Sequence, residues 1–140
     1  KKRTRELSVQ LGVHHHLTVA ERIAKLDIAK NMNAADIFIN TTSIDNTPVT
    51  VLEAMACGLC IVSTNVGGIP YLLHHQEDSL LVPPDDPQAM ADAIERLLRD
   101  DQLAEKLSRN ARQQVEKFAW PRVMCQWESL LCTVAGGKWA

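Results

Sequence analysis

What the sequence lacks narrows its function first. No apolar run approaches the roughly 20 residues that a membrane-spanning helix needs, and no charged-then-apolar leader of the secretory kind opens the chain. It also lacks charge of one sign. The formal net charge is -2 and the pI about 6.2, so there is no basic footprint for nucleic acid or an anionic membrane face. Lys1, Lys2, Arg3 and Arg5 do cluster, but one such group at a chain end reads as a solvated terminus. The chain is therefore expected to be cytoplasmic, with no nucleic-acid partner and no transmembrane segment. A zinc pattern is missing too, because no second Cys-x-x-Cys or matching His pair accompanies Cys57 and Cys60. His14, His15 and His16 are adjacent and cannot share one face, so no metal is expected. Cys57-Gly58-Leu59-Cys60 has the spacing of a redox pair. Its order is reversed, however: Cys57 ends a predicted helix, where the dipole disfavours a thiolate, and Cys60 enters a buried strand.

With 140 residues, 46% of them apolar, the chain can bury a real core and is most simply one domain spanning 1–140. Its start at Lys1 rather than Met leads us to expect a piece of a longer protein. Residues 3–11 have helical spacing and stop at Gly12. Leu17-Thr18-Val19-Ala20 reads as a strand, 28–35 as a helix and 36–40 as a second strand. Further strands are expected at 59–64 and 79–82. Short, β-branched strands flanked by helices predict a mostly parallel sheet covered on both faces, an α/β, Rossmann-like, doubly wound fold with a helical C-terminus. Asp86 is placed to cap a helix beginning at Pro87. That helix and the two after it carry apolar stripes, the last through Val123, Met124, Trp127, Leu130 and Leu131.

The chain is organised around residues 45–58. Here a polar loop turns into a short apolar helix, with Thr47 as the expected N-cap, Pro48 at the first helical position and Gly58 closing the far end. The free donors are then the N–H groups of Val49 and Thr50, backed by the positive end of the helix dipole, which suits phosphate or a sugar oxygen. Glu53 is the one charge in a helix of Val, Leu, Ala, Met and Cys. Either a ligand hydroxyl pair or a buried basic residue would satisfy it. In open parallel sheets ligands sit at the carboxyl ends of strands, which gathers the 40–48 loop, the Asn65-Val66-Gly67-Gly68 loop and the stretch from Glu21 onward. By themselves Gly67 and Gly68 could serve only a tight turn.

The run Asp45, then Glu53 within Leu52-Glu53-Ala54-Met55-Ala56-Cys57-Gly58, then Gly67-Gly68-Ile69-Pro70 resembles the signature of the retaining, two-domain GT-B glycosyltransferases called glycosyl transferases group 1, or family 4. The match runs from about residue 11 to about residue 120. It implies most of a C-terminal nucleotide-sugar-binding domain, with an N-terminal acceptor domain belonging to the same enzyme and absent here. Carried over, it implies that Glu53 holds the nucleotide ribose hydroxyls. The backbone of Val49 and Thr50 would meet the donor sugar and diphosphate, within a loop that also brings Asn46, Thr47 and Pro48. Asp45 would lie beside the sugar hydroxyls as the catalytic candidate, and Gly67 and Gly68 would line the donor site. The segment 21–26 would approach the nucleobase, with Arg22 and Lys25 as its basic members. The implied donor is a nucleotide-diphosphate sugar, with no further cofactor. Two positions depart from the pattern: Asp45 is shorter than the usual Glu, and Tyr71 stands where a Glu often follows.

Strand and helix alternation alone supports only a doubly wound domain that binds something at its strand ends. A sugar-nucleotide epimerase of the same fold and a non-catalytic α/β binding module remain open on that ground. Glu53 in Leu-Glu-Ala-Met-Ala favours the transferase. A receiver-like module would want an acidic cluster at early strand ends, which Asp36 alone does not supply. A transferase fragment of this kind, without its acceptor domain, is expected to be inactive alone.

Overall fold

A computed structural model describes residues 2–20 and 22–136. Lys1, Glu21 of the expected nucleobase segment, and 137–140 of the tail lie outside the described residues. In chain order the elements are α1 (Lys2–Gln10), α2 (Ile28–Met32), β1 (Ile37–Asn40), α3 (Val49–Ala56), β2 (Cys60–Thr64), α4 (Ile69–Leu72), β3 (Leu80–Val82), α5 (Pro87–Arg99), α6 (Asp101–Val115) and α7 (Trp120–Val134). The three strands form one sheet in the order β1-β2-β3, both pairings parallel. Phe38 lies opposite Ile61, and Val62 opposite Leu80.

The central strand is buried along its whole length. Alternate side chains therefore feed two cores, as strand geometry requires. Phe38, Ile61 and Leu81 face α3 and α4, packing with Val51, Met55, Ile69 and Leu73. Ile37, Cys60, Val62, Leu80 and Val82 face α5, packing with Ala93, Ile94 and Leu97. One helix serves both cores. In α6, Leu103 and Leu107 join the α5 side, whereas Ala111 and Val115 join the α3 side. It passes the amino end of β2, where Ser108 Oγ donates to the Gly58 carbonyl at 2.5 Å and the Cys60 thiol to the Ala104 carbonyl at 3.3 Å. Burial, and secondarily the charge of Asp36, push the Cys60 thiol up, and Cys57 and Cys60 are not joined by a disulfide. That is an inert core pair, not a redox pair.

The caps expected at Asp86, Gly12 and Gly58 form, and Asp100 adds one not singled out from sequence. Asp86 accepts from Ala89 N–H at 2.9 Å and Asp100 from Leu103 N–H at 2.9 Å. Gly12 and Gly58 both take φ of 71°. At Gly58 the N–H bonds Met55 O while Leu59 N–H bonds Ala54 O, a Schellman closure of α3.

Three expectations need correction. Leu17–Ala20 is not a strand: β1 pairs only with β2 among the described residues, and β-branched character without a partner ladder does not make a strand. The second helix is shorter than 28–35, ending at Met32 and turning through Asn33 into β1. Nor does Thr47 cap α3. Pro48 holds an extended φ of -69° and ψ of 115° and is itself the N-cap, so helical geometry begins one residue later, at Val49. The stripe on α7 exists in sequence but packs on little: no residue of α7 is buried, and Trp127 is 55% exposed.

Packing at α6 yields a test. Leu107 is fully buried, so Leu107→Ala should lower stability by about 2–5 kcal/mol. Leu98 on α5 is 66% exposed, and its replacement by Ala should stay within about 0.5 kcal/mol. Urea unfolding of both variants checks the pair; equal losses would contradict the packing described.

Candidate functional site at the strand carboxyl ends

All three strands deliver a loop to the same edge: 41–48 after β1, 65–68 after β2 and 83–86 after β3. Small polar side chains tie these loops together. Asn40 Nδ2 donates to Ser63 Oγ at 3.1 Å, Ser63 Oγ to the Thr64 carbonyl at 3.2 Å, and Thr64 Oγ1 to the Thr42 carbonyl at 2.5 Å. Asn65 N–H donates to Val82 O at 2.8 Å, fastening the second loop to β3. Ser63 and Thr64 are buried, and no buried side-chain N or O is left without a partner among the described residues. These polar residues were not singled out from sequence. Their signal, polar side chains closing otherwise apolar strands, is present but weak.

The closest approach is between the first two loops. Gly68 N–H donates to the Asp45 carbonyl at 2.9 Å. A methyl group on Gly67 would overlap the Asp45 carbonyl oxygen, and one on Gly68 the Asn46 carbonyl oxygen. Gly67 also has φ of 53°. The pair of glycines is therefore required so that the backbone bearing Asp45 can lie against the 65–68 loop.

That contact sets up the start of α3. Pro48 is buried, and its carbonyl accepts from Val51 N–H at 3.0 Å and Leu52 N–H at 3.4 Å. The N–H groups of Val49 and Thr50 have no acceptor among the described residues, so the two free donors expected from sequence survive the shift of the cap. Glu53 lies one turn along, half-buried; its carbonyl accepts from Cys57 N–H at 3.0 Å, while its carboxylate makes no hydrogen bond or ion pair with any described residue. A buried basic partner, one of the two ways of satisfying it, is not present among the described residues. Asp45 is half-buried while Asn46 and Thr47 are exposed. The arrangement offers one carboxylate at the loop, one on the helix, and two backbone donors at the helix start. It can accept from hydroxyls and donate to an anion.

Arg22 and Lys25 make no bond within this group. Both are exposed, and neither bonds the 41–48 loop or Glu53. Arg22 lines a separate shallow depression with Asp27 and Lys30. A cleft of about 400 Å³ does open at the strand ends, lined by Thr41, Thr64, Pro83, Asp85, Pro87 and Met90. A cleft of about 570 Å³ lies at the amino ends instead. Its charged residues, Asp36, Asp101 and Glu105, are all acidic, and it is unsuited to a diphosphate. No group of three or more His, Cys, Asp or Glu that could hold a metal is present among the described residues.

A Rossmann-like parallel sheet with loops of this kind at its carboxyl edge is the architecture of the GT-B glycosyltransferases, and the comparisons agree. Residues 1–114 match the family model of the glycosyl transferases group 1, and the chain belongs to that family. It is 31% identical over 117 residues to the D-inositol 3-phosphate glycosyltransferase of Saccharomonospora viridis, covering 84% of this chain and 27% of that protein. Among solved structures, the sucrose-phosphate synthase of Thermosynechococcus elongatus superposes with a TM-score of 0.88 at 28% identity, covering 98% of this chain and 35% of that one. The Anabaena protein HepE, solved in complex with UDP, gives 0.88 at 25% identity, covering 94% and 36%. The chain thus spans 26% to 30% of the length of the first curated relatives it matches. No helix among the described residues is long and apolar enough to cross a membrane.

The glycine contact carries its own test. Gly68→Ala should cost about 1–3 kcal/mol of stability, because neither backbone can move aside without breaking the Gly68 to Asp45 bond. Chemical denaturation reads this directly, and a variant as stable as the parent would mean that the two loops are not pressed together.

Proposed function

We propose that this chain holds the donor in a retaining, family 4 glycosyltransferase that moves a hexose or related sugar from a nucleoside diphosphate to an acceptor. It would form most of the C-terminal domain, the acceptor being held by an N-terminal domain of the same cytoplasmic enzyme. The observation that carries this reading is the half-buried Glu53, whose carboxylate has no partner among the described residues, one turn along a helix whose first two N–H groups likewise have none among them. In this reading Glu53 accepts from the ribose hydroxyls, and the Val49 and Thr50 N–H groups donate to the diphosphate. Asp45 accepts from the donor sugar, its position set by the contact with Gly68. Transfer asks little covalent chemistry of such a site. The bond from the anomeric carbon to the diphosphate oxygen breaks, one to the acceptor oxygen forms on the same face as the acceptor hydroxyl passes its proton to the departing diphosphate, and the backbone donors stabilise the charge that leaves. HepE, a structural neighbour solved with UDP, supports the donor class.

Glu53→Gln in the full-length enzyme separates a ligand role from a structural one. It should weaken nucleoside diphosphate binding by about 1.5–3 kcal/mol, roughly ten- to a hundredfold, with little change in melting temperature. Calorimetric titration beside a thermal melt measures both; an unchanged affinity with a collapsed melting temperature would overturn the assignment. The 140-residue chain alone should show no glycosyl transfer in a donor-turnover assay, and measurable transfer would refute the dependence on a second domain.

A further inference from the structure

The loop between α4 and β3 lies at the end of the sheet away from the donor loops and carries two adjacent histidines that the donor site does not use. The loop is heavily bonded. The His74 carbonyl accepts from Glu77 N–H at 3.1 Å and Asp78 N–H at 3.2 Å, and Gln76 N–H donates to Ser79 O at 2.8 Å. Asp78 is only 4% exposed. Its carboxylate accepts from His74 N–H at 2.7 Å and faces His74 Nδ1 at 3.0 Å. From α6, Lys106 Nζ donates to Gln76 O at 3.3 Å and Asn110 Nδ2 to Glu77 O at 2.6 Å. Lys117, just beyond α6, lines one cleft with His74, Glu77 and Asp78.

His75 points its chemistry elsewhere. Its Nδ1 accepts the N–H of Leu81, the middle residue of β3, at 3.0 Å. Among the described residues β3 pairs with β2 alone, so it is a sheet edge, and the imidazole takes an N–H that a further strand would otherwise take. The two rings answer a proton in opposite senses. An accepting Nδ1 requires neutral His75 with its hydrogen on Nε2; a proton on Nδ1 sets one donor against another and breaks the bond. His74 instead donates from Nδ1 to a carboxylate, and a second proton on that ring strengthens the pair.

We propose that the 74–79 loop is a proton-sensitive clasp on the outer edge of β3, released at His75 on protonation while the His74–Asp78 pair keeps the loop in place. The charges around it are Asp78 and Glu77 on the loop, and Lys106 and Lys117 from α6 and the turn after it. Release frees the Leu81 N–H, one residue before the Val82 carbonyl that fastens Asn65.

Nuclear magnetic resonance on the intact chain tests this. Near pH 7.5, nitrogen shifts should report the Nε2–H tautomer at His75. The corrected protection of the Leu81 amide should fall roughly tenfold on going to about pH 5, the range in which imidazoles charge. His75→Asn retains an acceptor at the δ position that does not titrate and should make Leu81 protection independent of pH, whereas His75→Ala should leave it low throughout. An Nδ1–H tautomer at His75, or Leu81 protection in the parent that does not change across this range, would overturn the proposal.

Discussion

The arrangement of the strand carboxyl edge depends on one backbone contact, the seating of the Asp45 and Asn46 carbonyls against Gly67 and Gly68. It joins two loops that are separated in sequence by the whole of α3 and β2. With the Gly68 N–H bonded to the Asp45 carbonyl, the loop that leads into α3 is no longer free to choose its path. Pro48 then lies buried with an extended backbone, and the helix begins with Val49 and Thr50 presenting unpaired N–H groups. A side chain at either glycine would separate the loops, and the relation between Asp45 and the helix start would be lost. Glycine here serves close approach as much as the turn itself.

Behind that contact stands a sheet buried on both sides. The five residues of β2 are all buried, and the alternation of their side chains holds α3 on one face and α5 on the other. Because α6 contributes to both cores, it couples the two layers at the amino ends of the strands. The carboxyl ends are left for the loops. The sheet is polarised accordingly: apolar through its middle, then closed by Asn40, Ser63 and Thr64, whose hydrogen bonds hold the loops without exposing the core. Burying these polar groups is tolerable only because each has a partner.

The periphery behaves differently. Leu7, Val9 and Leu11 near the start, Ile39 on β1, and Trp127, Leu130 and Leu131 on α7 are all exposed.

Much of this was legible in the sequence, wherever the signal acts between neighbours along the chain. Asp86 before Pro87 and Gly58 after Ala56 announce a helix start and a helix end because capping involves residues a few positions apart. Three of the four expected strands form, each a compact apolar run between turns. The fourth, at 17–20, had the right composition and no partner, and a ladder cannot be read from one strand. Thr47 had the right chemistry for a cap, but the burial of Pro48 moved the helix start by one residue. The sequence by itself determined the alternation of strands and helices, the caps, and the residue types at 45–53 and 67–68. Only the tertiary structure decided that the Glu53 carboxylate has no partner among the described residues, that the two glycines lie under the Asp45 and Asn46 carbonyls, and that His75 accepts at the β3 edge. Each of those depends on which distant segments packing brings within a few ångströms, and no local preference encodes that.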